Sequence, residues 1–374
     1  MRRRLTAKMP PEMRKLVHDP GRRRVVPNPA VERGATLNSY DLMPSLPYVA
    51  RAMFTAITLL SIGGCVSITE DAYTDLAPAT LAVAERTRPE GSILMRIFKE
   101  ESELEVWRQG ADGRYALHKT HPMCRWSGRL GPKTADGDRQ APEGFYQVTA
   151  SLMNPNSKYH RSFNLGYPNQ LERALGYTGD SLMVHGACSS AGCFAMTDNG
   201  VAEVYAEAQS AFRIGQSDFQ VQSFPFRMTA EQMAKHQGDP NIEFWRNLKL
   251  GYDVFEVTRR EPTVAACGGR YVFDARRVDG AAALEPTAAC PAMNTRVDPR
   301  VSAKRHDDER VVQKLLVEGR AEMAMAYVDG GMHPKFRSLL ARLGAEELAR
   351  ETSSTAVQIS RPDAALVDPY QAGQ

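Results

Sequence analysis

The sequence predicts a mixed, β-rich fold with added helices and a helical C-terminal extension. Three observations carry that expectation. Short runs of alternating apolar and polar residues, broken by Gly/Asp turns, occupy the stretch from about residue 92 to residue 185. Apolar residues at helical spacing begin only after residue 198. Two further helical stripes lie beyond Cys290. The 374 residues, 43% hydrophobic and 24% charged, have the composition of a globular protein and suffice for one large or two modest cores.

Residues 66–90 read as a polar linker with a short helix at Leu81–Arg86. Ser92–Lys99 and Ser102–Gln109 read as strands, the second because Leu104 and Val106 alternate with Glu103, Glu105 and Trp107. Gly110–Gly113 is a turn and Arg114–Thr120 a third strand. A Gly/Pro/Asp-rich loop runs from Gly128 to Gly144, strand returns over Phe145–Leu152, and Leu182–His185 is a short strand. Asp198 opens and caps a helix whose stripe is Val201, Val204, Tyr205, Ala208 and Phe212. Thr229–Gln232 reads as a capping box, and Asp239-Pro240 as an N-cap followed by proline at the first helical position. That helix is expected to end at Gly251, with Tyr252–Thr258 as a last strand. In the tail, Glu309–Asp329 and Lys335–Thr352 are the expected helices, the first stopped by Gly330-Gly331.

The net charge of +3 is unevenly spread. Residues 1–42 carry ten Lys/Arg against four Asp/Glu, which leaves −3 beyond them. The basic balance is confined to a head without apolar periodicity, so the remainder has no electrostatic footprint for nucleic acid, and none is expected as a partner. The head reads as disordered or as the product of a mis-set start, because residues 43–65 have the form of an export signal. Arg51 precedes an apolar run from Ala52 to Ile62, then small residues and Cys65. Ile62-Gly63-Gly64-Cys65 is similar to a bacterial lipobox, which makes Cys65 the expected lipidation site. The expected location is periplasmic, with the folded part anchored to a membrane through lipid. The plain alternative is an uncleaved anchor helix.

Six cysteines fit an oxidising compartment: Cys65, Cys124, Cys188, Cys193, Cys267 and Cys290. Cys267 and Cys290 flank a Gly/Ala-rich segment and are the preferred disulfide; Cys124 with Cys188 is a weaker pairing. The stretch His185-Gly-Ala-Cys-Ser-Ser-Ala-Gly-Cys193 places an imidazole eight positions from a thiol with only small residues and Cys188 between. Little but backbone fills such a stretch, so a tight loop is expected to fold the two groups toward each other. A metal corner is one reading, but a closed zinc site needs four ligands and no second Cys/His cluster has suitable spacing. A structural disulfide through Cys193 is another. The favoured reading is a catalytic thiol ionised by a neighbouring base, with no metal and no cofactor. Backbone N–H groups of Gly192 and Cys193 are natural oxyanion donors.

With Ser190-Ala-Gly-Cys193 and Phe194–Asp198, this stretch resembles the bacterial L,D-transpeptidases with a YkuD-type catalytic domain, in their YafK-like branch. The supporting segments are Cys124–Pro132, Gly137–Tyr146 and Ser162–Asn169, and the resemblance covers about residues 91–260. It implies a β-rich catalytic domain over that range; from their own pattern, residues 261–352 read as a partly helical C-terminal extension and residues 353–374 as a disordered tail. The resemblance also implies a peptidoglycan stem-peptide substrate, cleaved between diaminopimelate and the terminal D-Ala through a thioester on Cys193. His185 is then the base, with Ser190 and Gly192 in the nucleophile motif. Ala191 stands where many members have His, so that imidazole cannot assist. The acceptor is left open: an amine makes the chain an acyltransferase, whereas water makes it a hydrolase that releases stem peptides or a peptidoglycan-attached lipoprotein. A non-catalytic peptidoglycan-binding lipoprotein is the remaining alternative. Arg139 and Arg125 are candidates for holding stem carboxylates, with surface or structural ion pairs as the alternative, and Tyr146 and Tyr167 for lining the groove, with core packing as the alternative. Cys188 reads first as a buried structural or disulfide-bonded cysteine, with a redox partner of Cys193 as the alternative, and His160 reads as an exposed polar residue.

Overall fold

The computed structural model describes residues 88–280, 284–295, 297–322, 327 and 329–354. The expected head, signal segment, Cys65, the Leu81–Arg86 helix and most of the linker and tail lie outside these residues.

Strands β1 (Ile93–Phe98), β2 (Glu103–Gln109) and β3 (Tyr115–Pro122) form an antiparallel meander. After β4 (Arg125–Trp126) and the Gly-rich loop, β5 (Gly144–Thr149) runs into a single 3-10 turn at Ala150–Leu152, so the expected strand ends three residues early. Next come β6 (Met153–Asn154), β7 (Ser162–Asn164), α1 (Gln170–Ala174), β8 (Met183–His185), β9 (Phe194–Ala195), α2 (Asp198–Arg213) and β10 (Asp218–Phe224). One five-stranded sheet has the order β3-β2-β1-β10-β5, with β10 parallel to β1; the other has the order β4-β9-β8-β7-β6. Apolar side chains of both sheets and of α2 share a single core that includes Ile97, Val106, Phe163, Val184, Phe194, Val204 and Val221. The mixed, strand-rich architecture with added helices is thus present.

The helices differ from expectation at their ends. Thr229 caps α3 (Ala230–Lys235) by accepting from Gln232 N, but Gln232 Oε1 has no partner, so only half of the capping box forms. Helix α4 (Ile242–Thr258) continues through Gly251 and absorbs the segment expected as strand. The cause lies across the interface. Tyr252, Phe255 and Glu256 fall at helical spacing and all meet the buried Arg96 of β1: the guanidinium lies 4.5 Å from the Tyr252 ring centroid, 4.8 Å from that of Phe255 and 2.5 Å from Glu256 Oε1. Gly251 is not a stop signal but a close-approach residue. A Cβ there would collide with the ring of Phe273 and lie 2.6 Å from Phe145 Cζ. The helix ends instead at Arg259, which turns left-handed with φ of +55°.

Two small hairpins follow, β11 (Val264–Cys267) with β12 (Arg270–Phe273) and β13 (Ala275–Arg277) with β14 (Met293–Thr295). Cys267 and Cys290 are joined in a disulfide. Helix α5 (Pro299–Val317) starts ten residues before the expected position, at an Asp298 N-cap with proline in its first turn. Helices α6 (Pro334–Leu343) and α7 (Ala345–Thr352) replace the expected single helix, because Gly344 breaks it with φ of +79°.

Helix propensity alone makes Gly251→Ala stabilising by about 1 kcal/mol. The packing makes it destabilising by about 1–3 kcal/mol, since two aromatic rings must give way. Urea unfolding of the variant decides between the two.

Candidate active site

Strands β8 and β9 run parallel in register, Val184 beside Phe194 and His185 beside Ala195. Side chains alternate across a strand, so Val184 and Phe194 enter the core while His185 and Ala195 face the other way. One step back along the register, Met183 meets Cys193: its N–H donates to Cys193 Sγ at 3.4 Å. The imidazole and the thiol therefore lie on one face of the sheet, two residues apart along the register of neighbouring strands.

The residues between them form a loop pinned at every turn. Gly186 N donates to Tyr159 O at 3.0 Å. Ala187 and Cys188 take left-handed conformations with φ of +66° and +49°, which only an over-determined loop sustains. Ala187 N donates to Asp198 Oδ1 at 2.9 Å, and Cys188 N to Met196 O at 3.2 Å. Cys188 is disulfide-bonded to Cys124 and is therefore not a redox partner of Cys193. Ser190 Oγ lies 3.0 Å from Ser127 Oγ and donates to Cys193 O at 2.7 Å. Buried among these partners, Ser190 shapes the loop. Gly192 N is engaged at 3.3 Å by the same hydroxyl, a long bond that weakens its expected part as an oxyanion donor. Cys193 is the one cysteine among the described residues outside a disulfide.

His185 is only 3% exposed. Its Nδ1 lies 2.6 Å from Gly186 O. A carbonyl can only accept, so the proton sits on Nδ1 and Nε2 is the basic nitrogen. The orienting acceptor is thus a backbone carbonyl rather than a carboxylate. The Tyr159 ring packs against the imidazole at 4.7 Å, a contact to which no sequence pattern pointed. Burial pulls the His185 pKa below its usual value, against the Gly186 hydrogen bond, which raises it. Burial also pushes the Cys193 thiol up, against the Met183 N–H and the positive Lys133, which favour the thiolate. The thiol donates to Ser181 O at 3.7 Å, and no hydrogen bond joins it to the imidazole. Both shifts favour the neutral thiol and the neutral imidazole over the ionised resting pair expected from their spacing.

Lys133, missed in the sequence, is nearly buried and bonds Asp138 Oδ1 at 2.6 Å and Ala135 O at 2.8 Å. It belongs to the Gly-rich loop, which Lys99 anchors through Ala141 O at 3.0 Å and Glu143 Oε1 at 2.7 Å.

The other expected contacts are placed elsewhere. Tyr146 is buried in the core with its hydroxyl on Glu172 Oε1 at 2.6 Å, and Tyr167 is buried with its hydroxyl on Lys133 O at 3.1 Å; neither lines an open groove. Arg125 is fully buried and binds Trp126 O and Asp329 of the C-terminal extension, so it is a structural anchor. Arg139, one-third exposed, is the only one of the four at the edge of the site, 3.5 Å from Ser190 O and 3.8 Å from Asp329 Oδ2. Asp198 is the first residue of α2, not its cap. Thr197 fills that role by accepting from Gly200 N. Burial works against the Asp198 charge, but hydrogen bonds from Ser354 and Ala187 hold its carboxyl below the usual range. His160 is half-buried, 3.8 Å from Asp198 Oδ2.

The YkuD L,D-transpeptidase catalytic domain family matches residues 97–215, which contain His185, Cys193 and the loop between them. A protein of Escherichia coli named "Putative L,D-transpeptidase YafK" is 43% identical over 180 residues, covering 48% of this chain and 73% of that protein. The chain belongs to the YkuD-type L,D-transpeptidase family. Among solved structures, the helical cell shape determining protein Pgp2 of Campylobacter jejuni is similar at 24% identity with a TM-score of 0.29, over 35% of this chain and 47% of that one, so the chain spans about half of it. Bd1075 of Bdellovibrio bacteriovorus is similar at 14% identity with a TM-score of 0.26, over 42% of this chain and 62% of that one. Family membership rests on the sequence matches.

A neutral resting pair predicts a particular pH response. Alkylation of Cys193 by iodoacetamide should rise with pH and reach no plateau below the ordinary thiol pKa of about 8.5. His185→Ala should leave that profile nearly unchanged. A plateau reached in the acid range and abolished by His185→Ala would show a resting thiolate–imidazolium pair instead.

Proposed function

We propose that this chain is a peptidoglycan-modifying cysteine acyltransferase acting on the diaminopimelate–D-Ala bond of stem peptides. The observation that carries the reading is Cys193, free among the described cysteines, on the same sheet face as His185 with its basic Nε2 unbonded. When a substrate amide displaces the thiol from Ser181 O, the thiol proton passes to His185 Nε2 and the sulfur attacks the carbonyl carbon. The oxyanion so formed is met by the Cys193 N–H, with Gly192 N–H weakened by Ser190. Collapse expels the D-Ala amine, which takes the proton from the imidazolium, and leaves a thioester on Cys193. An acceptor amine then loses its proton to Nε2, attacks the thioester and releases the thiol. With water as acceptor the same steps give hydrolysis, the second reading, in which stem peptides or a peptidoglycan-attached lipoprotein are released. Export and lipid anchoring through Cys65 complete the proposal and place the enzyme at the periplasmic face of a membrane.

Incubation with a disaccharide tetrapeptide and mass analysis of products should give released D-Ala and crosslinked dimer. Shortened tripeptide without dimer would establish the hydrolase reading, and no turnover would refute both. Cys193→Ala should abolish turnover, and His185→Gln should reduce it about 100-fold or more, the usual contribution of a general base. Membrane fractionation checks the anchor: Cys65→Ser should move the protein to the soluble fraction.

A further inference from the structure

The C-terminal extension returns to the nucleophile loop. Met332, Phe336, Leu340 and Leu348, from the segment spanning α6 and α7, pack with Cys124 and Cys188 in a small core of their own. The end of α7 is thereby set against the disulfide that holds the loop. Ser353 and Ser354, expected to begin a disordered tail, are instead bound to Asp198. Ser354 N and Oγ donate to Asp198 Oδ2 at 2.7 and 2.6 Å, and Ser353 Oγ donates to the same oxygen at 3.3 Å. Asp198 Oδ1 holds Ala187 N, at the left-handed turn two residues after His185. One carboxylate therefore joins the tail to the turn that starts the His185–Cys193 loop. There is no room for slack: a Cβ on Gly186 would lie 2.6 Å from Asp198 Oδ1 and 2.9 Å from Tyr159 O.

We propose that Ser353 and Ser354 are positioning residues for the nucleophile loop and act through Asp198. Three donors on Oδ2 fix the carboxylate plane, and that plane fixes where Oδ1 presents itself to Ala187. Without them the carboxylate can rotate about its own side chain, the Ala187 turn loses its fixed acceptor, and Cys193 is no longer held two residues along the register from His185. The serines bond Asp198 rather than His185 or Cys193, so their loss should act on the chemical step rather than on binding. The catalytic arm of this inference rests on the proposed acyl-transfer reading; the structural arm does not.

The test uses the full chain with Ser353→Ala and Ser354→Pro together, which removes all three donors. Ser353 is already extended, with φ of −144° and ψ of 137°, the conformation favoured before proline. Hydrogen exchange followed by mass spectrometry should show exchange in the peptide covering residues 186–192 faster by about tenfold, the effect of one lost charge-assisted hydrogen bond, with the peptides of β1, β10 and α4 unchanged. Turnover of the tetrapeptide should show a reduced kcat at unchanged KM. Asp198→Asn, which keeps an acceptor for Ala187 but presents an amide to the serines, should lower kcat similarly, and the triple variant should be no slower than either parent. Unchanged exchange at 186–192 would overturn the proposal. So would a uniform rise across all peptides with a lowered Tm, which would make the tail a general stabiliser. A wild-type protein inactive on stem peptides would refute the proposed function and leave the exchange result to decide this inference alone.

Discussion

Two parallel neighbouring strands, β8 and β9, are joined by only eight residues, 186–193. A parallel connection usually needs a dozen residues or more and a helix to carry the chain back. Here the return is made by small residues in left-handed conformations at Ala187, Cys188 and Gly192. Such a loop does not hold its shape by itself. It is held by the Asp198 carboxylate, the Cys124–Cys188 disulfide and the Ser127–Ser190 contact, each from a different part of the chain. The benefit is the placement of His185 at the end of one strand and Cys193 at the start of the next, on a single face.

The electrostatics follow from the same geometry. The strands that bring the ring and the sulfur to one face bury His185 and half-bury Cys193, and this loss of solvent disfavours charge on both. A resting ion pair would sit in this site at a cost that neither the Gly186 carbonyl nor Lys133 offsets. Neutral partners avoid that cost. Lys133, held by Asp138 beneath the Gly-rich loop, favours the thiolate once it forms.

Much of this was legible in the sequence, for reasons that can be named. In the meander, Leu104 and Val106 of β2 alternate with Glu103 and Glu105, and the turn from β2 to β3 is marked by Gly110, Asp112 and Gly113. The spacing of His185 and Cys193 among small residues announced a loop with chemistry at both ends. Strand β10 was not legible: Gln220 and Gln222 are buried polar residues in a central strand, so the apolar pattern is interrupted. Helix α4 was misread at Gly251 because a glycine needed for contact with Phe145 and Phe273 has the same letter as one that ends a helix. The start of α5 was marked by Asp298-Pro299 and could have been read. Tyr146, Tyr167 and Arg125 illustrate a further limit: an aromatic or cationic residue near a motif in sequence carries no information about which way its side chain points. The partners of Asp198 were beyond reach, since Ser353 and Ser354 lie 155 and 156 residues away along the chain.

The C-terminal extension is packed against the nucleophile loop rather than being an appendage. Arg125 and Asp329 join it to the strand beside the nucleophile, and α6 and α7 lean on the disulfide that shapes the loop. The central claim, that the sulfur of residue 193 carries the acyl group, is tested most directly by trapping. Brief incubation with stem tetrapeptide, acid quenching and peptide mapping should find the tripeptide acyl mass on Cys193, accompanied by one equivalent of D-Ala. D-Ala release with no adduct on Cys193, or an adduct on another residue, would contradict the account.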